Sequence, residues 1–250
     1  MWLLGDFYRE LHDMFNESQF DASHREGLVP STEFQRDIAQ EVPTLLDTLP
    51  DGRETLVIGD VDRCKDFNHP QGDNSLGFRG TCGLVSCEDV LRQFGVDVTE
   101  DMIVRYAAEH GLCHVGDDPA HCGGTTEFTQ ATLLKDFGVP AHVEFLGTLE
   151  HLADCLEHGR SVIVEVNAGV LWDDPNYVGS GGSNHAIVVT GVARDPQTGE
   201  LQGFFVNDSG RGYAEDSGRF VDVSTMRQGW EETAGSGVVT DIVRTRPANV

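Results

Sequence analysis

The hydrophobic rhythm of this 250-residue chain changes once, and that change decides what it can fold into. Between residue 82 and about residue 156, apolar side chains recur at helical spacing. From Ser161 onward they gather in short β-branched runs. Cys87, Val90, Leu91 and Phe94 form one apolar stripe, which predicts a helix over residues 82–94 ended by Gly95. Residues 99–110 predict a second helix, with Thr99 as its cap and Met102, Ile103, Tyr106 and Ala107 on its apolar face. Further helices are expected over residues 126–137 and 149–157, ended by Gly138 and Gly159. Strands are expected at 56–58, 162–166, 186–192, 203–207, 219–221 and 238–243. A block of helices followed by a block of strands is the pattern of an α+β protein with an antiparallel sheet. Ahead of it, residues 1–60 read as a helical N-terminal extension packing on a catalytic domain of residues 61–250. The extension would hold an amphipathic helix (Trp2, Leu3, Phe7, Leu11, Phe15) and a second helix over residues 32–49.

The seam between the two blocks carries the reactive residues. A thiol attacks as its thiolate, and a helix N-terminus or a neighbouring His lowers a cysteine pKa from about 8.5 into the range of roughly 3.5 to 7.5. Cys82 falls in the first turn of the helix over residues 82–94, where unpaired N–H groups and the positive dipole end favour an anionic sulfur. Cys87, five residues on, lies on the apolar stripe and reads as a small core hydrophobe. Helical register therefore nominates Cys82.

On the β side, Asp195-Pro196-Gln197-Thr198-Gly199-Glu200 is a turn between the runs at 186–192 and 203–207. A hairpin turning there sets His185 opposite residue 208 or 209. An Asp or Asn at that point would accept the imidazole Nδ1–H and leave Nε2 to face the thiol. Register alone leaves Asp208 and Asn207 both open, since a bulge or one-residue slip exchanges the faces.

Gln71, then Cys82-Gly83 at a helix start, His185 heading a strand and Asp208-Ser209-Gly210 at the end of the next one occur in an order that resembles the papain-like cysteine peptidase superfamily. The similarity is closest to its bacterial double-glycine leader peptidases and papain-fold toxin or effector domains, and covers residues 68–223. The resemblance implies an α+β papain-like fold with a helical half carrying Cys82 and a β half carrying His185 and Asp208. It further implies that Cys82 is the nucleophile, His185 the general base and acid, Asp208 the residue orienting the imidazole, and Gln71 the side-chain donor to the oxyanion. Asn207 is the alternative orienter. The Gln71-to-Cys82 gap is longer than usual in that family, so a loop with Asn74, Ser75 and Gly77 must fold out. If Gln71 does not reach the oxyanion, the Cys82 N–H with Asn74 or another loop donor could take its place.

The expected activity is cleavage of a peptide amide by a bacterial effector or toxin peptidase. A Gln or Asn deamidase or transglutaminase, and an inert papain-like binding module, are the alternatives. Residues 167–183, just before His185, make a long connection of the kind that forms lids or substrate walls. Trp172, Asp173 and Asp174 are its candidate substrate-binding residues, the two carboxylates favouring a basic residue near the scissile bond.

Composition narrows the partners. A formal charge of -25 repels nucleic acid and anionic membranes and suits a basic polypeptide. An immunity or chaperone protein is the partner that a toxin setting implies. Lys65 and Lys135 are the only lysines among 17 basic residues, which fits a GC-rich genome or avoidance of ubiquitin attachment inside eukaryotic cells. No run reaches the roughly 18 apolar residues of a membrane span, and no signal peptide is recognisable. Synthesis in the cytoplasm is expected, with export by a specialised secretion system left open. Six cysteines without regular spacing argue for a reducing compartment. Cys113-His114 and His121-Cys122 match no common zinc module, and adjacent ligand pairs are geometrically awkward. No metal and no cofactor is therefore expected.

Overall fold

A computed structural model describes residues 42–244. An eight-stranded antiparallel sheet forms its centre. Its strands are β1 (Thr44–Thr48), β2 (Glu54–Ile58), β3 (Ala141–Phe145), β4 (Val162–Val166), β5 (His185–Arg194), β6 (Leu201–Asn207), β7 (Ser217–Asp222) and β8 (Ser236–Thr240). The long strand β5 organises the sheet: β6 pairs along one edge, while β4 and β2 share the other. From β4 the order continues through β8 to β3, and from β6 to β7.

The first helices among the described residues are α1 (Val61–Lys65), α2 (Cys82–Gln93), α3 (Glu100–His110), α4 (Glu127–Asp136) and α5 (Leu149–Glu157). The caps follow from the sequence. Thr99, Thr126 and Thr148 each accept a hydrogen bond from a backbone N–H in the first turn of the helix they open. On one side of the sheet, Leu152 and Leu156 of α5 pack with Val164, Ile187, Val189, Phe204 and the fully buried Trp230. Helix α2 packs against β5. Its expected single stripe is in fact burial on nearly all sides, with Leu84, Val85, Cys87, Val90 and Leu91 all inaccessible. Two acids are buried with them, each with partners: Glu88 with His69 and Arg92, and Asp89 with Gln93 and Asn207.

The expected α+β architecture is thus present, with Cys82 on the helical side, His185 on the sheet and Asp208 just past the end of β6. Two expectations need correction. Residues 44–48, placed at the end of a helix, form the edge strand β1, because Pro50-Asp51-Gly52 makes a tight turn that pairs β1 with β2. The remainder of the expected extension, residues 1–41, lies outside the described residues. Residues 141–145, left unassigned between helices, add β3 at the far edge. The long connection after β4 holds a short helix α6 (Ala168–Trp172) and a 3₁₀ turn (Pro175–Tyr177). A last short helix, α7 (Val223–Met226), runs into a wider π turn that buries Trp230.

Candidate active site

Cys82 is the first residue of α2. It is half-buried and lines an open cleft of about 690 Å³ together with Gln71, Thr125, Glu165, Trp172 and His185. Thr81, the residue before it, donates its hydroxyl to Glu100 at 2.7 Å and makes no side-chain cap. The N–H groups of the first turn are therefore left without a side-chain cap beside the sulfur. Gly83 is demanded by packing, because a Cβ there would stand 2.0 Å from Thr125 Oγ1 and 2.6 Å from Gln130 Nε2. Cys87 is fully buried, and burial pushes its thiol far up.

His185 begins β5 and is 4% exposed. Its Nε2 lies 2.7 Å from Asp208 Oδ1, and the Cys82 thiol is near enough to favour the charged ring. With Nε2 on Asp208, Nδ1 is the nitrogen left for the thiol, the reverse of the expected tautomer. Burial works against the charged ring, but the hydrogen bond to Asp208, the charge of Asp208 and the nearby Cys82 thiol outweigh it and hold the imidazole up at about 10. Burial likewise opposes ionisation of Asp208, and the His185 bond and charge, with donors from Trp172 and Gly210, bring it down to about 2. The geometry is that of a buried imidazolium and carboxylate, with a thiol on the other side of the ring.

The choice between Asp208 and Asn207 follows from a bulge. Pairing of β5 with β6 slips by one residue between Val189 and Gly191, and the ladder ends at Val188–Asn207. His185 is therefore not opposite residue 208 in the ladder. Asp208 has left the strand, its N–H bonded to Asp216 O, and its side chain turns to the imidazole. Asn207 turns away, donating to Asp89 Oδ2 and Cys64 O at 2.7 Å each and accepting from the Gly218 N–H.

Trp172 lies against this pair. Its indole N–H donates to Asp208 Oδ2 at 2.7 Å, and its ring centroid is 5.2 Å from that of His185. Gly210 passes beneath both rings and donates its N–H to Asp208 Oδ1. A Cβ at Gly210 would meet Trp172 at 2.6 Å and His185 at 2.9 Å. Arg219, 3.3 Å from Asp208 Oδ2, completes the set of groups on the carboxylate.

The two acids beside Trp172 are placed differently from expectation, because the segment coils on itself. Asp173 ends α6 in the left-handed conformation and is exposed, and Asp174 accepts from the Asn176 N–H and amide. Neither lines the cleft. Its carboxylates are Glu165 of β4 and Glu127 of α4, which sequence reasoning missed. Burial pushes Glu165 up, while an amide hydrogen bond from Gln130 at 2.6 Å holds it down in part. Gln71 lines the cleft with Cys82, although its Nε2 donates to Arg79 O at 2.6 Å. A primary amide has two N–H groups, so this bond leaves one for another acceptor. Among the described residues there is no cluster of three or more His, Cys, Asp or Glu able to hold a metal ion, and no helix is long and apolar enough to cross a membrane.

A family model, the Peptidase_C39 like family, matches residues 58–238. Uncharacterized proteins of Mycobacterium tuberculosis and Mycobacterium bovis are 30% identical over 173 residues, which is 60% of this chain and 72% of theirs. Among solved structures, a double glycine motif protease from an AMS/PCAT transporter, in complex with the leader peptide, aligns with 64% of this chain and 84% of its own. It shares 15% identity, with a TM-score of 0.41. A structure from Bacillus anthracis described as a C39-like peptidase aligns with 71% of this chain and 99% of its own, at 13% identity and a TM-score of 0.47.

Proposed function

This chain belongs to the Peptidase_C39 like family, and on that premise we propose that it is a cysteine peptidase whose machinery is Cys82, His185, Asp208 and Gln71. The observation that carries the reading is the single imidazole standing between a carboxylate at 2.7 Å and a helix-start thiol, at the wall of an open cleft. In this mechanism the Cys82 thiolate attacks the scissile carbonyl and the negative charge moves to its oxygen. The Cys82 N–H and the free amide hydrogen of Gln71 receive that oxyanion. Collapse of the adduct breaks the C–N bond, and His185 gives its Nδ1 proton to the leaving amine. Water then attacks the thioester with His185 as base, releasing the acid and restoring the thiol. Asp208 keeps the ring oriented and supports its charge, and Trp172 covers their hydrogen bond against water.

Glu165 and Glu127, with no Lys or Arg among the described residues of the cleft wall, support a polypeptide substrate with a basic side chain near the scissile bond. They take over the role first given to Asp173 and Asp174. The setting proposed with this activity is that of a bacterial effector or toxin, supported by resemblance and by the lysine-poor composition. Its expected correlate is a small immunity or chaperone protein that co-purifies with the chain and blocks Cys82.

Iodoacetamide or E-64 labelling read by mass spectrometry tests the nucleophile. Preferential modification of Cys82, lost in His185→Ala, is expected, and equal labelling of all cysteines would refute it. Incubation with a proteome separates the reactions. New N-termini mark a peptidase, mass gains of about one dalton on uncut chains mark a deamidase, and neither marks an inert binding module.

A further inference from the structure

Glu100 has no part in the chemistry above, yet its carboxylate gathers four donor groups, as many as that of Asp208. It sits in the first turn of α3 and is 2% exposed. Its Oε1 accepts from the Gly72 N–H at 2.8 Å, the Thr81 hydroxyl at 2.7 Å and the Asn74 amide at 3.1 Å. Its Oε2 accepts from the Asp73 N–H at 2.8 Å and, at 3.1 Å, from the Gly72 N–H that it shares with Oε1. Three of these donors follow Gln71 directly in the chain. The fourth residue, Thr81, precedes Cys82. One buried carboxylate therefore joins the two ends of the 71–82 loop, the segment whose length set this chain apart in sequence.

We propose that Glu100 is a positioning residue for the oxyanion-binding side of the site, holding the Gln71 amide and the Cys82 N–H in register by fastening Gly72, Asp73 and Asn74 to Thr81. This rests on the peptidase reading and deepens it. Residue 71 itself is held from its other side, where its N–H donates to Ser209 O at 3.0 Å and its Oε1 accepts from the Ser209 hydroxyl at 3.4 Å. Glu100 supplies the opposing anchor. Asn74 extends it, since its amide also donates to Phe78 O and its carbonyl accepts from the Phe78 N–H, closing the outer part of the loop. The Thr81 hydroxyl is drawn to Glu100 rather than to the first turn of α2, which keeps those N–H groups without a side-chain cap. An interaction that fixes donors before the charge develops acts on the transition state and little on the bound substrate.

The test uses the full chain and a peptide that the wild type cuts in the proteome digest. Gln71→Ala is expected to lower kcat by about 100-fold or more, the usual loss for one oxyanion donor. Glu100→Gln is expected to lower kcat by roughly 10- to 100-fold with KM nearly unchanged, and to add less than about twofold in the Gln71→Ala background, because both act through one donor. Alkylation of Cys82 by iodoacetamide should keep its rate and pH profile in every one of these variants, since the thiol and imidazole are untouched. Thr81→Val, which removes only the link to the nucleophile helix, should show the same pattern at about tenfold and serves if Glu100→Gln does not fold. Multiplicative losses in the double variant, an unchanged kcat in Glu100→Gln, or altered Cys82 alkylation would overturn the inference. An unaffected Gln71→Ala overturns it together with the role of Gln71, whereas cleavage that persists in Cys82→Ala overturns the peptidase reading itself.

Discussion

Replacing Asp208 with Asn tests the electrostatics of the site most directly, because the substitution keeps the side-chain shape and removes the charge. Asp208 falls from 3.8 to about 2 in the folded protein, and His185 rises from 6.5 to about 10. At 1.36 kcal/mol per pH unit these displacements correspond to about 2–3 and about 5 kcal/mol. Both groups carry the cost of their own burial, and the figures differ because the imidazolium gains from Cys82 as well as from Asp208. The Asn substitution removes the Asp208 share alone, so the smaller figure is the one to expect. A lowered carboxylate stabilises the fold above its unfolded value of 3.8, and loses that contribution as the pH falls through about 2. A raised imidazole stabilises it below 6.5, and loses that contribution as the pH rises through about 10. The pair is therefore worth most between about pH 4 and 6.5. Denaturant unfolding should show Asp208→Asn less stable than wild type by about 2–3 kcal/mol near pH 6. That deficit should shrink steadily toward about pH 10, as the wild-type imidazole loses its proton. The alkaline limb of Cys82 alkylation should move down by more than one pH unit in the same variant. A deficit that is absent near pH 6, or constant up to pH 10, would refute the imidazolium–carboxylate pair.

Other substitutions probe the surroundings of the pair. Trp172→Phe keeps a ring over His185 but loses the 2.7 Å bond to Asp208, a hydrogen bond to a charged group worth roughly 1.5–3 kcal/mol. A kcat lower by about tenfold or more is expected, and an unchanged value would argue against the covering role. Gly83→Ala and Gly210→Ala place a methyl within 3.0 Å of several atoms, and each should destabilise the fold by about 2–3 kcal/mol in thermal or denaturant melts. Glu165→Gln, alone and with Glu127→Gln, should cut the preference for Arg or Lys over Ala near the scissile bond by about tenfold per carboxylate, measured as a ratio of kcat/KM on paired peptides. Equal ratios in wild type and double variant would exclude these acids as the recognition site.

What the sequence disclosed and what it concealed separate along one physical line. Local signals were legible: the α2 stripe put Cys82 at a helix start and Cys87 in the core, and Thr99, marked as a cap, opens a helix that does begin there. Turn chemistry was legible where it was sought, at 195–200, and overlooked at Pro50-Asp51-Gly52, where the same reasoning would have given the β1–β2 hairpin. Features set by long-range pairing were not legible. The bulge beside Thr190 falls where the opposite edge of β5 passes from β4 to β2. It carries the Asp208 carboxylate off the ladder, onto Nε2 rather than the expected Nδ1.

Buried acids show the same limit from the other side. Glu100 and Glu165 look in sequence like any of 42 carboxylates in a chain of charge -25, and composition assigns that excess to the surface. A buried carboxylate persists only where enough donors replace its water. Glu100 has two backbone N–H groups, an amide and a hydroxyl, all from a loop that sequence alone could describe only as too long. The extra length is what lets residues 72–74 curl back to a helix that follows Cys82 in the chain. A shorter loop would carry Gln71 to Cys82 without needing that anchor. The departure from the family pattern and the buried acid are then one feature. Trimming the loop while leaving Glu100 in place should therefore be more damaging than removing both, because the carboxylate would be left buried without its donors.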